Sequence, residues 1–207
     1  MAAVARDSVE QAVAAIRRGA PVLLPADTVY GLCGNPHDEA AVRRAYRLKR
    51  REATQATAVL AASVDRLFAL LPELDGRSRT IVRTLLPGPY TLVLPDPVAR
   101  FPWLGGTNPG TIGVRVADVP AATRRVLDAV GCVFATSANE PGLPPATRLD
   151  EVPAWIRAGC EAEVDAGGLG GIASTVLDFS GAEPRVLRDG AAPAGEAIAR
   201  VAASLSS

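Results

Sequence analysis

Three short segments of the 207-residue chain combine residue types that bind anions or small polar ligands. The first is Pro25-Ala26-Asp27-Thr28-Val29-Tyr30-Gly31-Leu32. It follows the apolar run Val22-Leu23-Leu24, so it sits at the carboxyl end of a strand, where open α/β sheets hold ligands. Asp27 supplies an acceptor, Thr28 a hydroxyl and Gly31 room for close backbone approach; the same residues also suit an ordinary Asx-type turn. The second is the run Arg43, Arg44, Arg47, Lys49, Arg50 and Arg51, six cations in nine residues. Such a cluster repels itself unless anions neutralise it, and the plain alternative is a solvated basic helix face. The third is Thr136-Ser137-Ala138-Asn139, after the apolar strand Cys132–Ala135. Hydroxyls and an amide at a strand end hold carboxylates or phosphates, or else cap the segment that follows.

One count singles out a residue within the basic run. The 22 basic residues are 21 arginines and one lysine, Lys49. A chain that replaces Lys by Arg wherever a cation suffices keeps Lys where a compact ammonium is needed. Lys49 and Arg51 fall where the helix should end, so they can grip phosphates as a point charge and a fork. Smaller signals surround these. Arg115 interrupts the strand Ile112–Val116 and, if buried, needs an anion. Ser174-Thr175 opens another strand, and Arg188-Asp189-Gly190 closes the last one at the same rim. Gly167-Gly168-Leu169-Gly170-Gly171 lacks the Lys-Ser/Thr ending of a phosphate loop and reads instead as a flap. Pro87-Gly88-Pro89-Tyr90 reads as a rigid turn.

Composition excludes several classes. Lys plus Arg and Asp plus Glu are both 22, so net charge is zero and no bulk field attracts polyanions. A single histidine, His37, rules out His-rich metal sites, and no protein metal site is expected; His37 reads as a helix-start residue beside the cap Asp38. Cys33, Cys132 and Cys160 are far apart and lack CxxC spacing, which fits a reducing cytoplasm. No apolar run reaches the ~18 residues of a membrane helix, and Arg6, Asp7, Glu10, Arg17 and Arg18 break any leader pattern. We expect a cytoplasmic protein with no membrane contact.

Periodicity predicts helices over Ser8–Arg18, Asp38–Leu48, Val64–Leu71, Arg77–Leu86, Ala121–Val130, Asp150–Arg157 and Ala194–Ala203. It predicts strands at Val22–Leu24, Ala58–Ala61, Tyr90–Leu94, Ile112–Val116, Cys132–Ala135, Thr175–Phe179 and Arg185–Leu187. Their interleaving gives one mixed α/β domain, a sheet covered by helices, with structured loops carrying the site.

In order along the chain, these segments resemble the YrdC-like family of L-threonylcarbamoyladenylate synthases. Pro25–Leu32 is similar to the family's P-T-[DE]-T-V-Y-G-L, Lys49-Arg50-Arg51 to K-x-R, and Pro87–Thr91 to P-G-P-x-T. Thr111–Val116 resembles its V-R strand, Ser137-Ala138-Asn139 with Gly142 its S-A-N-x-x-G, Ser174-Thr175-Val176 its S-T-[VI], and Val186–Gly190 its closing L-R-x-G. The resemblance implies a twisted open sheet with a concave basic cavity, and one domain over residues 1–207 without the extra C-terminal domain of longer members.

It further implies ATP, L-threonine and bicarbonate as substrates, with Mg2+ accompanying ATP, and threonylcarbamoyl-AMP and pyrophosphate as products. Separate partner proteins would complete threonylcarbamoyl transfer to tRNA. On this resemblance Lys49 and Arg51 are the catalytic pair and hold ATP phosphates. Ser137 and Asn139 hold nucleotide and threonine, Arg115 the threonine carboxylate with Ser174 nearby, and Arg188 the nucleotide. Asp27, Thr28 and Tyr30 shape the threonine end. Three positions depart from the pattern: Ala26 stands for Thr, and Glu52 and Ala56 each stand for Pro. Loss of one hydroxyl contact at Ala26 costs about 0.5–1.5 kcal/mol of threonine binding, and the three changes fit a divergent paralogue. The alternatives are a tRNA- or double-stranded-RNA-binding protein of the same fold, and a paralogue making another carbamoyl-adenylate.

Overall fold

The computed structural model describes residues 2–50 and 56–206. The expected site residue Arg51 and the departure at Glu52 lie outside the described residues. Apolar residues spaced at helical and strand periods produce seven helices and nine strands among the described residues. The helices are α1 (Ala2–Arg17), α2 (Glu39–Leu48), α3 (Val64–Leu70), α4 (Gly76–Leu85), α5 (Ala121–Val130), α6 (Ala154–Ala158) and α7 (Ala194–Leu205). The strands are β1 (Val22–Pro25), β2 (Tyr30–Gly34), β3 (Ala58–Ala61), β4 (Tyr90–Pro95), β5 (Thr111–Arg115), β6 (Cys132–Ser137), β7 (Ala162–Glu163), β8 (Thr175–Asp178) and β9 (Arg185–Arg188).

The strands form one mixed sheet in the order β7-β1-β2-β6-β3-β5-β4-β8-β9. Period-2 alternation divides each strand between two layers. Leu23, Tyr30 and Leu32 join a large core with Val42, Tyr46, Leu67, Ile81 and Phe134. Val22, Leu24 and Cys33 belong to a second cluster, which packs Val9, Ala12 and Ile16 of α1 against Val126 and Leu127 of α5. Chemistry that predicts helix ends is visible at α2, where the Asp38 carboxylate accepts from the Ala41 N–H. His37 is exposed beside it, with its ring edge-on to Phe101. Gly19 ends α1 with φ +77°, a conformation that favours glycine.

Several expectations are corrected. Helix α1 begins at Ala2, so Ser8 lies within it rather than at its start. Strand β2 was not expected, because its two glycines and one cysteine break the apolar alternation. Strand β6 runs on to Ser137, so Thr136 and Ser137 are strand residues paired with Leu32 and Gly31. The helix expected over 150–157 is a 3-10 turn, Leu149–Glu151, followed by α6. Pro153 separates them, since it has no N–H to give a continuous helix. Strand β7 has only two residues, too few to show a period. No helix among the described residues is long and apolar enough to cross a membrane.

Candidate functional site

The sheet is curled. Asp27 follows β1 and Arg115 ends β5, four places apart in the strand order, yet Arg115 Nη2 lies 2.7 Å from Asp27 Oδ1. A second tie runs beside it, with Thr123 Oγ1 at the start of α5 donating to the Pro25 carbonyl at 2.7 Å. Only strong accumulated strand twist brings such distant strands into contact. The concave face encloses a cavity of about 460 Å3, within the size range of small-molecule sites.

The cavity floor is a row of small side chains across five strands. Cys33 pairs with Ala135, Ala135 with Ala58, Ala58 with Gly113, and Gly113 with Val93. All five line the cavity. At Gly113 a Cβ would meet Ala58 Cα at 3.2 Å, so the backbones approach closely there. The Cys33 thiol is fully buried and burial pushes its pKa up to about 12, so it serves as a small apolar group.

Among the described residues, three cations enter above this floor. Lys49, at the C-terminal cap of α2, is buried, 3% exposed, whereas Arg43, Arg44, Arg47 and Arg50 of the same run face solvent. Its ammonium donates to the Ser137 carbonyl and lies 3.3 Å from Thr136 Oγ1 and 3.4 Å from Ser137 Oγ. The helix end is fixed from outside: Trp155 Nε1 donates to the Leu48 carbonyl, and Arg50 lies 4.6 Å over the Trp155 ring. The bias that singled out Lys49 thus coincides with a buried position where a compact ammonium meets three oxygens.

Arg115 is the second cation. Asp27 supplies the anion that its burial requires, both carboxylate oxygens accepting from Nη2 at 2.7 and 2.9 Å. Arg115 Nε is buried and has no hydrogen-bond partner among the described residues. Arg188 is the third. It stands on the edge strand β9 and folds back so that Nε and Nη2 donate to the Ser174 carbonyl, with Nη2 also 3.1 Å from Ser174 Oγ. Partial burial, and then the like charge of Arg115, lower its pKa. Ser174 Oγ is also 2.8 Å from Thr91 Oγ1. The two hydroxyls share one proton between them, which leaves the other for a ligand, whichever is the donor. Among the described residues no carboxylate lines the cavity.

The expected residues therefore divide. Lys49, Arg115, Ser137, Asn139, Ser174 and Arg188 all line the cavity, as do the departures Ala26 and Ala56. Asn139 Nδ2 donates to the Leu143 carbonyl, and its Oδ1 is buried with no partner among the described residues. Asp27 and Thr28 stand behind the wall rather than in it. Thr28 Oγ1 is likewise buried and without a partner there. Tyr30 points away. Gly31 and Cys33 face the cavity, so alternation turns Tyr30 to the opposite side. There its hydroxyl lies 2.7 Å from Asp165 Oδ1 and accepts from the Ala166 N–H, and burial pushes its pKa to about 12.

Tyr30 thereby anchors the glycine-rich segment read as a flap. Two more ties hold it, from Leu169 N–H to the Thr147 carbonyl and from Gly171 N–H to the Thr28 carbonyl. Thr57, Thr91 and Thr123 line the cavity without having been singled out as site residues. For Thr91 the strand alternation was the available signal.

The Sua5/YciO/YrdC family model, described as telomere recombination, matches residues 14–190. A threonylcarbamoyl-AMP synthase of Chromohalobacter salexigens is 35% identical over 179 residues, covering 86% of this chain and 95% of its own. A threonylcarbamoyl-AMP synthase of Pyrococcus abyssi is 33% identical over 183 residues, 87% of this chain but 53% of the relative. The chain thus spans about half the length of the Pyrococcus protein. The crystal structure of Pyrococcus abyssi Sua5 complexed with L-threonine superposes with a TM-score of 0.81 at 32% identity, covering 93% of this chain and 56% of the other. Escherichia coli YciO shares the fold, with a TM-score of 0.78 at 24% identity.

Proposed function

Since the chain belongs to the Sua5/YciO/YrdC family, we propose that it is a threonylcarbamoyl-AMP synthase, forming the mixed anhydride and pyrophosphate from L-threonine, bicarbonate and ATP. The observation that carries this reading is the convergence of Lys49, Arg115 and Arg188, with Ser137, Asn139 and Ser174, on one small-molecule-sized cavity whose wall has no carboxylate among the described residues. Such a wall suits several anions held together.

In the reaction, the threonine amine adds to bicarbonate, giving a carbamate and water. A carbamate oxygen then attacks the α-phosphate of ATP, and pyrophosphate departs. Every species carries negative charge, and no histidine is needed. Fixed cations that bring the carbamate and the α-phosphate together supply catalysis by positioning and charge stabilisation. Lys49 would neutralise phosphate charge, its ammonium already oriented by Ser137. Arg51 would join it as the second phosphate ligand. Arg115 would take the threonine carboxylate, and the Ser174–Thr91 pair would add one hydroxyl donor. Arg188, Ser137 and Asn139 would hold the nucleotide. Magnesium would enter as the ATP complex, held by the phosphates. The mixed anhydride would then pass to the proteins that modify tRNA, which places the reaction in the cytoplasm. The cavity volume gives no support to duplex RNA as its occupant, since a duplex is far larger than such a pocket.

Pyrophosphate release from magnesium-ATP, with threonine and bicarbonate each added or omitted, tests the proposal. Release that needs both is the expected result. Release indifferent to either one, or none despite ATP binding, overturns it. Running serine, valine and other amino acids in parallel identifies the substrate of a divergent paralogue with Ala26 in the wall.

A further inference from the structure

The pair Asp27–Arg115 is built unlike the surface ion pairs of this protein. Both side chains are 11% exposed, whereas Arg148 and Asp150, for example, are 58% and 67% exposed. Exposed pairs contribute little, but a buried pair holds its partners tightly, and removing one leaves the other charge uncompensated. Asp27 approaches Arg115 from behind the cavity wall and takes only Nη2, with both oxygens. The guanidinium is thereby fixed in rotation, while its Nε–H stays at the wall, buried and without a partner among the described residues.

The charge count at this end is equally specific. Partial burial, and secondarily the charge of Arg115, depress the Arg188 pKa, and both guanidiniums line the cavity. Arg188 has no carboxylate partner among the described residues; its contacts are the Ser174 carbonyl and hydroxyl. With Arg188 given to the nucleotide, the amino-acid end keeps the Asp27–Arg115 pair, a hydrogen-bond donor of little net charge. That suits one carboxylate and undershoots a triphosphate.

We propose that Asp27 is a positioning and specificity-determining residue: it aims Arg115 and offsets its positive charge, so that this end of the cavity selects the amino-acid carboxylate over phosphate. The proposal rests on the synthase reading for the identity of the amino acid. Asp27 then touches no substrate and acts wholly through Arg115, unlike the direct contact with threonine expected from the sequence.

Two substitutions separate charge from aim. Asp27→Asn removes the charge and keeps the size. Asp27→Glu keeps the charge and moves the carboxylate by one methylene. Dissociation constants for threonine and for magnesium-ATP are measured separately by calorimetry on the full chain, alongside threonine-dependent pyrophosphate release. For Asp27→Asn, threonine should bind about tenfold more weakly while ATP binds about threefold more tightly. For Asp27→Glu, threonine should again weaken, with ATP affinity unchanged. A purely structural role would weaken both ligands together, and that result, or no change in either, overturns the proposal. If the wild-type chain neither binds threonine nor releases pyrophosphate, the synthase reading fails. The ATP arm still decides the charge argument, tightening in Asp27→Asn supporting it and weakening or constancy overturning it.

Discussion

The two ends of the cavity are anchored in opposite ways. Lys49 and Ser137 belong to the interior: β6 has a neighbour on each side, and the ammonium is buried against strand oxygens. Arg188 belongs to the last strand of the sheet, whose four residues are all exposed and whose only neighbour among the described residues, β8, meets it with a register shift. Backbone ladders fix the first end. Side-chain hydrogen bonds to Ser174 fix the second. The contrast teaches that the Lys49 end is held by contacts of the sheet interior, while the β9 end depends on side-chain hydrogen bonds to one serine.

That contrast is sharpest at Lys49. Lys49→Ala should lower ATP-dependent pyrophosphate release by about 100-fold or more, the scale of losing a preorganised charge-stabilising donor. Lys49→Arg should not restore it, because a planar fork cannot replace a compact ammonium among three oxygens. Next comes Arg115→Ala, for which steady-state kinetics should show the threonine KM raised by at least about tenfold with little change in ATP affinity.

At the β9 end, Arg188→Ala should weaken ATP binding only about fivefold. Ser174→Ala should do much the same, and the double variant should fall short of the product of the two, since both disturb one hydrogen-bonded unit. A loss for Arg188→Ala as large as that for Lys49→Ala would break the comparison.

The smallest effect belongs to Tyr30→Phe, which should cost about 1 kcal/mol in chemical unfolding and speed amide exchange over residues 166–171. Its pH signature follows from the partners. Tyr30 stays protonated, with a pKa near 12. The Asp165 carboxyl is held below its ordinary range, first by the Gly167 N–H and then by Tyr30. A depressed carboxyl pKa stabilises above the unfolded value and loses that contribution as pH falls through the folded one. The anchor should therefore be constant between about pH 6 and 9, loosening in acid as Asp165 is protonated and again in alkali as pH rises toward the Tyr30 pKa of about 12, as amide exchange at low pH and chemical unfolding at high pH would show.

Much of this was readable in the chain, for reasons that differ from residue to residue. Helix α5, bounded by Pro120 and Gly131, came out with its observed ends, and Asp38 was visible as a cap because capping chemistry is local. Lys49 was found by compositional bias, a signal independent of periodicity. Tyr30 was placed at the threonine end by the resemblance; strand β2, which the local sequence does not reveal, turns its side chain to the other face of the sheet. The Asp27–Arg115 contact, 88 residues apart, was out of reach. It depends on β6 inserting between β2 and β3 and on the twist of the whole sheet, which no local window contains. Ser137, Ser174 and Arg188 were legible as motif residues, but their mutual placement was not.

The floor of Cys33, Ala135, Ala58, Gly113 and Val93 has a practical corollary. The recess is hollowed from the sheet itself by missing side-chain volume, and strand pairing is untouched by it. Its depth is thus written in single methyl groups: Ala58→Gly would deepen it, and Ala135→Val would make it shallower, with no loop rebuilt. A lineage of such proteins can retune the volume of this recess by point changes along one row, and an engineer can do the same.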